Sequence, residues 1–124
     1  MKNMTNYFIA FFIVAFVICS CVESVNNKLI VGKWKAVEWL ESGTPNITKA
    51  ENTSFVFDEK EHYSFTHGGT TKNGTYKVEN NLLFTTEEGM QEIMVNITKL
   101  TADSLVFDMN NGGTPEQLTL IKEK

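Results

Sequence analysis

The chain after residue 29 is dominated by short runs in which apolar and polar residues alternate. A period of two places the apolar side chains of each run on one face, which predicts β-strands with one buried side. No comparable helical period extends along this part of the chain. The predicted strands lie at 30–40, 53–58, 61–66, 75–78, 82–85, 91–99, 104–109 and around Leu118 and Leu120.

The segments between these runs read as tight turns, which favours strands that pair in the order in which they follow one another. Eight such strands hide their apolar faces, and leave no open edge, when the sheet closes on itself. We therefore predict an all-β fold, a small eight-stranded up-and-down antiparallel barrel at 30–124, with a two-sheet sandwich as the alternative. One short helix is predicted at 44–51, where Thr44 can cap it and Pro45 can open it. The turn signals are Asp58-Glu59-Lys60, Gly68-Gly69, Asn73-Gly74, Asn80-Asn81 and Gly112-Gly113.

Residues 1–21 follow a different pattern, since Lys2 precedes an uninterrupted apolar run at 7–19. This run is short of the roughly 20 residues that cross a bilayer and matches the apolar region of a signal peptide. The sequence Ile18-Cys19-Ser20-Cys21 resembles the bacterial lipobox. The resemblance implies a helical signal peptide at 1–20, removal of that peptide, and acylation of Cys21 with chains such as palmitate.

A lipid on Cys21 would anchor the protein to a membrane of the bacterial cell envelope, at the periplasmic or the outer-membrane face. Residues 21–29 are then a short polar tether between the lipid and the barrel. An uncleaved membrane anchor and an ordinary secretory peptide are the alternatives.

Charge and composition exclude several classes of function. From Cys21 onward ten lysines face fifteen acidic residues, and the chain contains no arginine, which is unlike a nucleic-acid-binding protein. His62 and His67 are too few to hold a metal, and no nucleophile, acid or base set converges in the sequence. We expect a monomer that is not an enzyme and carries no metal or cofactor.

Gly32-Lys33-Trp34 is a G-x-W motif at the start of the first predicted strand. With "GTYKVENNLL" at 74–83 and "ITKLTADSLVF" at 97–107, it resembles the small lipocalin-like domains of Bacteroidetes-type lipoproteins. The resemblance implies that Trp34 fills a closed end of the barrel. A lipocalin usually packs an arginine across this tryptophan, and since the chain has no arginine, Lys122 is the cation that could take its place.

The same resemblance implies a small apolar ligand, bound in the mouth of the barrel. The aromatic residues of the strands either line such a cavity or simply form the core. The alternative function is an interaction or inhibitor protein that uses rim loops of a solid barrel, chiefly those at 41–52 and 110–116. The candidate ligand-binding residues are Trp34, Trp39, Phe55, Phe57, Tyr63, Phe65 and Tyr76.

Glu38 conflicts with the regular pattern of the first strand. It shares the parity of Trp34, so an unbroken strand would point its carboxylate into the barrel. Burial of an unpaired carboxylate is costly, which favours a position at the solvated mouth or a β-bulge. A bulge would leave Glu38 outside and turn Val37 and Trp39 inward.

Overall fold

The computed structural model describes residues 27–124. The predicted signal-peptide helix at 1–20, the lipidation site Cys21 and the first part of the tether lie outside the described residues. Within residues 27–124, no helix has both the length and the apolar character needed to span a membrane.

The described residues form nine strands in one antiparallel sheet. The strands are β1 Gly32–Glu41, β2 Thr44–Pro45, β3 Thr53–Phe57, β4 His62–His67, β5 Thr70–Glu79, β6 Leu82–Glu87, β7 Glu92–Leu100, β8 Ser104–Asn111 and β9 Thr114–Lys122. Strand β1 pairs with β3 on one side and with β9 on the other, and this second pairing closes the barrel. Eight strands make the wall, because the two-residue β2 only folds back on the end of β1. The predicted up-and-down barrel is confirmed, and closure excludes a two-sheet sandwich.

Alternation along the strands puts the core inside the barrel. In β9, for example, Leu118 and Leu120 are fully buried while Ile121 is exposed. Burial of such side chains is the main favourable contribution to folding. The largest fully buried apolar residues are Ile30, Trp34, Phe57, Leu83, Leu105, Phe107, Leu118 and Leu120.

The predicted turn at Asn73-Gly74 is wrong, because both residues lie inside β5. The chain turns earlier, at Gly68-Gly69, and β5 therefore begins at Thr70. Gly74 instead allows the backbones of β5 and β6 to come close together. A Cβ atom built on it would lie 2.0 Å from the carbonyl oxygen of Thr86 on β6.

The predicted helix forms over Ile47–Glu51, but its cap is not Thr44. Asn46 caps it, accepting a hydrogen bond from the Lys49 N–H at 3.0 Å. Thr44 and Pro45 instead pair with β1, and the Asn46 N–H donates to the carbonyl of Trp39 at 2.7 Å. Pairing with β1 therefore delays the start of the helix.

The register of β1 shifts between Ala36 and Glu38, as a β-bulge requires. The bulge turns Trp39 into the barrel, where it is 8% exposed, and leaves Glu38 on the outer surface. The expected inward turn of Val37 is wrong, since this side chain is 52% exposed. Val37 is the extra residue of the bulge and has no partner on β9.

Candidate functional site

One end of the barrel is closed by Trp34, which has no exposed surface. Its indole Nε1–H donates to the carbonyl of Ile30 at 2.7 Å, which ties the helical segment 27–30 to the barrel. The Lys122 ammonium lies 5.1 Å from the centroid of the Trp34 ring and donates to the carbonyl of Leu29 at 3.2 Å. Lys122 thus occupies the place that the resemblance implied for a cation.

The glycine of the G-x-W motif makes room for this lysine. Gly32 has φ of 140°, a conformation that side chains disfavour. A Cβ atom on Gly32 would lie 2.7 Å from Cε of Lys122. Glycine at this position therefore lets the lysine stem cross β1 and reach the Trp34 ring.

The opposite end of the barrel contains a cavity of about 600 Å³. The turns 68–69, 88–91 and 112–113 and the helix Ile47–Glu51 lie at this end. The volume is within the usual range for small-molecule sites, roughly 300–1,000 Å³. Its inner wall is formed mainly by Phe55, Phe65, Leu83, Val95, Phe107 and Leu118.

The structure divides the seven candidate aromatic residues between the two ends. Trp39, Phe55, Tyr63 and Phe65 line the cavity. The remaining three, Trp34, Phe57 and Tyr76, do not line it and belong to the core.

Phe57 and Tyr76 pack edge to face, with ring centroids 4.9 Å apart. The Tyr76 hydroxyl donates to the carbonyl of Asp58 at 2.6 Å. Burial, with the nearby charges of Asp58 and Glu61, raises the pKa of Tyr76 to about 12. Tyr76 is thus a neutral hydrogen-bond donor that fastens the β3–β4 turn.

The sequence interpretation missed the aliphatic part of the cavity wall. Leu83, Val95 and Leu118 line the cavity with the aromatic residues. Strand parity could have identified them, because each lies at an inward position of its strand.

Two polar pairs interrupt the apolar wall. The side chains of Tyr63 and Thr85 both lie on the cavity wall, and burial raises the pKa of Tyr63 above its ordinary value. Near the rim, the Lys72 ammonium lies 3.7 Å from Oε1 of Glu87, and both side chains are partly exposed. The cavity therefore holds neutral hydroxyl groups inside and a neutralised ion pair at its mouth.

The helix Ile47–Glu51 is fastened at the mouth by a polar cluster. The Lys49 ammonium lies 3.2 Å from Oε2 of Glu41 and 3.9 Å from Oε1 of Glu116, which is buried. Asn46 Nδ2 donates to Oε1 of Glu41 at 2.6 Å. These hydrogen bonds hold the pKa of Glu41 below its usual value, and the bond from Asn46 has a larger effect than the bond from Lys49.

The two histidines have separate surroundings. The Thr53 hydroxyl donates to the carbonyl of Lys49 at 2.6 Å, so it accepts from His67 Nδ1 at 2.8 Å, which carries the proton. His62 instead lies 3.6 Å from the carboxylate of Asp58 at the other end of β4. Among residues 27–124, no three His, Cys, Asp or Glu side chains group as metal ligands.

Among the described residues that line the cavity, only Trp39 has a fully buried side-chain polar atom without a hydrogen-bond partner. It is 8% exposed, and its indole Nε1 has no hydrogen-bond acceptor among the described residues. The Lys49 ammonium lies 5.2 Å from the Trp39 ring centroid, and the His67 ring centroid lies 5.7 Å away. Trp39 also borders a shallower groove between β1 and the helix.

A closed eight-stranded antiparallel barrel with one plugged end and one hollow end defines the lipocalin-like class. The family model described as "Lipocalin-like domain" matches residues 30–107. The chain belongs to the lipocalin-like domain family.

Two solved structures are similar to this chain in fold. A lipocalin-like protein from Bacteroides uniformis ATCC 8492 has a TM-score of 0.61 and 16% identity, covering 77% of this chain and 99% of its own. An uncharacterized protein from Bacteroides eggerthii DSM 20697 has a TM-score of 0.60 and 13% identity, covering 76% and 99%. Among curated protein sequences, none matches this chain.

Proposed function

We propose that this protein binds a small apolar molecule inside its barrel while a lipid on Cys21 holds it at the bacterial cell envelope. The cavity of about 600 Å³ at the hollow end carries the first part of the proposal. Its wall is mostly aromatic and aliphatic, so an apolar guest would exchange water contacts for close contacts with side chains. A solid barrel that acts only through its rim does not account for this volume.

The rim of the cavity supports the same function. Met90 and Ile93, at and just after the β6–β7 turn, are 63% and 61% exposed and also line the cavity. Methionine adapts its shape to different apolar partners. These side chains give an apolar molecule a continuous path from the surface into the barrel.

Binding can be tested with Nile red, whose fluorescence increases in apolar surroundings. The barrel, its core and both of its ends are formed by residues 27–124, so the chain from residue 22 onward is the protein to use. We expect saturable binding that Val95→Trp weakens by about tenfold, because the larger side chain occupies part of the space that the dye needs.

Val56→Trp is the matched control, since Val56 lies on the outer face of β3 and is 37% exposed. It should leave the affinity for Nile red unchanged. Equal weakening by both variants, or no binding to the parent protein, would contradict a ligand site inside the barrel.

The anchor is tested separately in the full chain, by feeding bacterial cells radiolabelled palmitate. The resemblance of residues 18–21 to a lipobox implies acylation of Cys21 and leaves Cys19 in the removed peptide. We expect Cys21→Ala to abolish the label and Cys19→Ala to retain it. Label that persists in Cys21→Ala would refute the proposed anchor without affecting the proposed cavity.

A further inference from the structure

The chain that leads to the proposed lipid and the mouth of the cavity lie at opposite ends of the barrel. Hydrogen bonds from the side chains of Trp34 and Lys122, at 2.7 and 3.2 Å, fasten the segment 27–30 across the closed end. The cavity of about 600 Å³ opens at the other end, beside Met90. The residues that connect the barrel to Cys21 therefore leave it on the side opposite to the mouth.

This connection is short compared with the height of the barrel. Six residue steps separate Cys21 from Asn27, and a fully extended chain covers at most about 3.5 Å per step, or about 20 Å in all. Strands β1 and β5 have ten residues each, which is about 33 Å of strand and, at the usual tilt of about 40°, about 25 Å along the barrel axis. A barrel that rested its mouth on the anchoring membrane would hold Asn27 about 25 Å above it, out of reach of this chain.

Charge distinguishes the two ends in the same sense. Six acidic side chains and two lysines belong to the segments of the hollow end, 41–52, 67–72, 87–92 and 110–116. Six acidic side chains and six lysines belong to the segments of the closed end, 27–33, 58–61, 79–82, 99–103 and 121–124. A membrane surface with anionic lipids therefore repels the hollow end more strongly than the closed end.

Met90 and Ile93 are the side chains that a barrel with its mouth on the membrane would insert into lipid. They line the mouth and are 63% and 61% exposed. The short connection to Cys21 and the acidic rim both oppose that insertion. These two residues are therefore left as an apolar entrance that faces water.

We propose that the mouth of the barrel opens away from the membrane that holds Cys21, and that the protein takes its guest from the aqueous phase and not directly from its own bilayer. This orientation rests on the proposed binding and anchoring, and it specifies the ligand class. The guest is an apolar molecule that fits about 600 Å³ and is soluble enough to cross water, unlike a long-chain membrane lipid.

The orientation can be measured because Cys21 is the only thiol in the chain from residue 21 onward. This chain is coupled to a maleimide lipid in nanodiscs of phosphatidylcholine and phosphatidylglycerol that also carry a nitroxide headgroup lipid, which broadens the NMR signals of nearby amides. We expect the strongest broadening at the closed-end turns 58–61 and 80–81, and the weakest at the hollow-end turns 68–69 and 112–113. The reverse order would overturn the proposed orientation.

The matched control moves the lipid to the rim. Asn111→Cys in a Cys21→Ser background provides a thiol at the exposed end of β8, next to the mouth. Coupling at this position should reverse the order of broadening. Equal patterns for the two attachment points would show that the membrane does not orient the barrel, and would also refute the proposal.

The route of the guest is tested with Nile red dissolved in vesicles whose nitroxide-labelled acyl chains quench it, so that the dye fluoresces only after it enters the barrel. With excess protein anchored through Cys21, the rate of this increase should not depend on the number of copies per vesicle, since the dye must first leave the bilayer for water. With protein anchored through Asn111→Cys, the rate should rise about in proportion to that number.

The outcomes separate this inference from the function on which it rests. A rate that rises with the number of copies anchored through Cys21 would overturn the aqueous route. Binding of Nile red to neither form would remove the proposed ligand function, while the amide broadening would still decide the orientation. Palmitate label that persists in Cys21→Ala would refute the natural anchor, and that result is independent of the nanodisc measurement.

Discussion

Replacement of Gly74 by alanine should disrupt the barrel wall next to the cavity. The added Cβ would lie 2.0 Å from the Thr86 carbonyl oxygen and 2.8 Å from Cε1 of Tyr63. Ordinary contact begins near 3.4 Å, so β5 and β6 would have to separate by about 1.4 Å at this point. Overfilled sites usually cost about 1–3 kcal/mol, and a backbone obstacle in a paired strand belongs at the upper limit or above.

We therefore expect Gly74→Ala to lower the free energy of unfolding by about 3 kcal/mol or more, out of a total of about 5–15 kcal/mol. In urea denaturation followed by circular dichroism, the midpoint should fall by about 1–3 M. The matched control is Gly89→Ala, because a Cβ there meets nothing within 4 Å and only the φ of 77° opposes it. That control should cost about 1 kcal/mol. If Gly74→Ala is as stable as Gly89→Ala, the close approach of β5 to β6 is refuted.

Lys122→Met should lower the free energy of unfolding by about 1–3 kcal/mol, because it removes the cation above Trp34 and the hydrogen bond to Leu29. Urea denaturation measures this, and a Met variant as stable as the parent would contradict the role of the charge. Acid should loosen the helix Ile47–Glu51, because the folded state lowers the pKa of Glu41. Its contribution is present above the ordinary value of 4.5 and is lost as the pH falls further. The protection factor of the Lys49 amide against hydrogen exchange should then fall in acid, and Glu41→Gln should abolish this pH dependence.

The closed barrel was predictable from the sequence because alternation is a local signal that repeats in every strand. The Asn73-Gly74 pair shows where local signals end. Asn-Gly is a strong turn signal, but this glycine is needed because another strand, β6, comes too close for a Cβ. Such a contact joins residues distant in sequence, so no local pattern reports it.

The cavity was only half predictable for a related reason. Aromatic residues at inward positions fit a filled core and a hollow site equally well. Phe55 and Phe57 are successive inward residues of β3, yet Phe55 lines the cavity and Phe57 does not. The conflict at Glu38 predicted either a bulge or a position at the solvated mouth, because a buried unpaired carboxylate is costly, and the structure has the bulge. That Trp39 Nε1 is buried without an acceptor depends on how residues distant in sequence pack around it, so no local pattern reports it.

The two ends of the barrel use the same pair of residue types for different purposes. A lysine ammonium lies 5.1 Å from the Trp34 ring centroid at the closed end, and another lies 5.2 Å from the Trp39 centroid at the hollow end. At the closed end every polar atom of the pair has a backbone partner, because the segment 27–30 folds over the ring. At the hollow end the covering helix engages Lys49 and leaves the Trp39 N–H unbonded. Since the ring contacts are equal, the two tryptophans differ in the hydrogen bonding of their indole N–H groups and not in their contact with a cation.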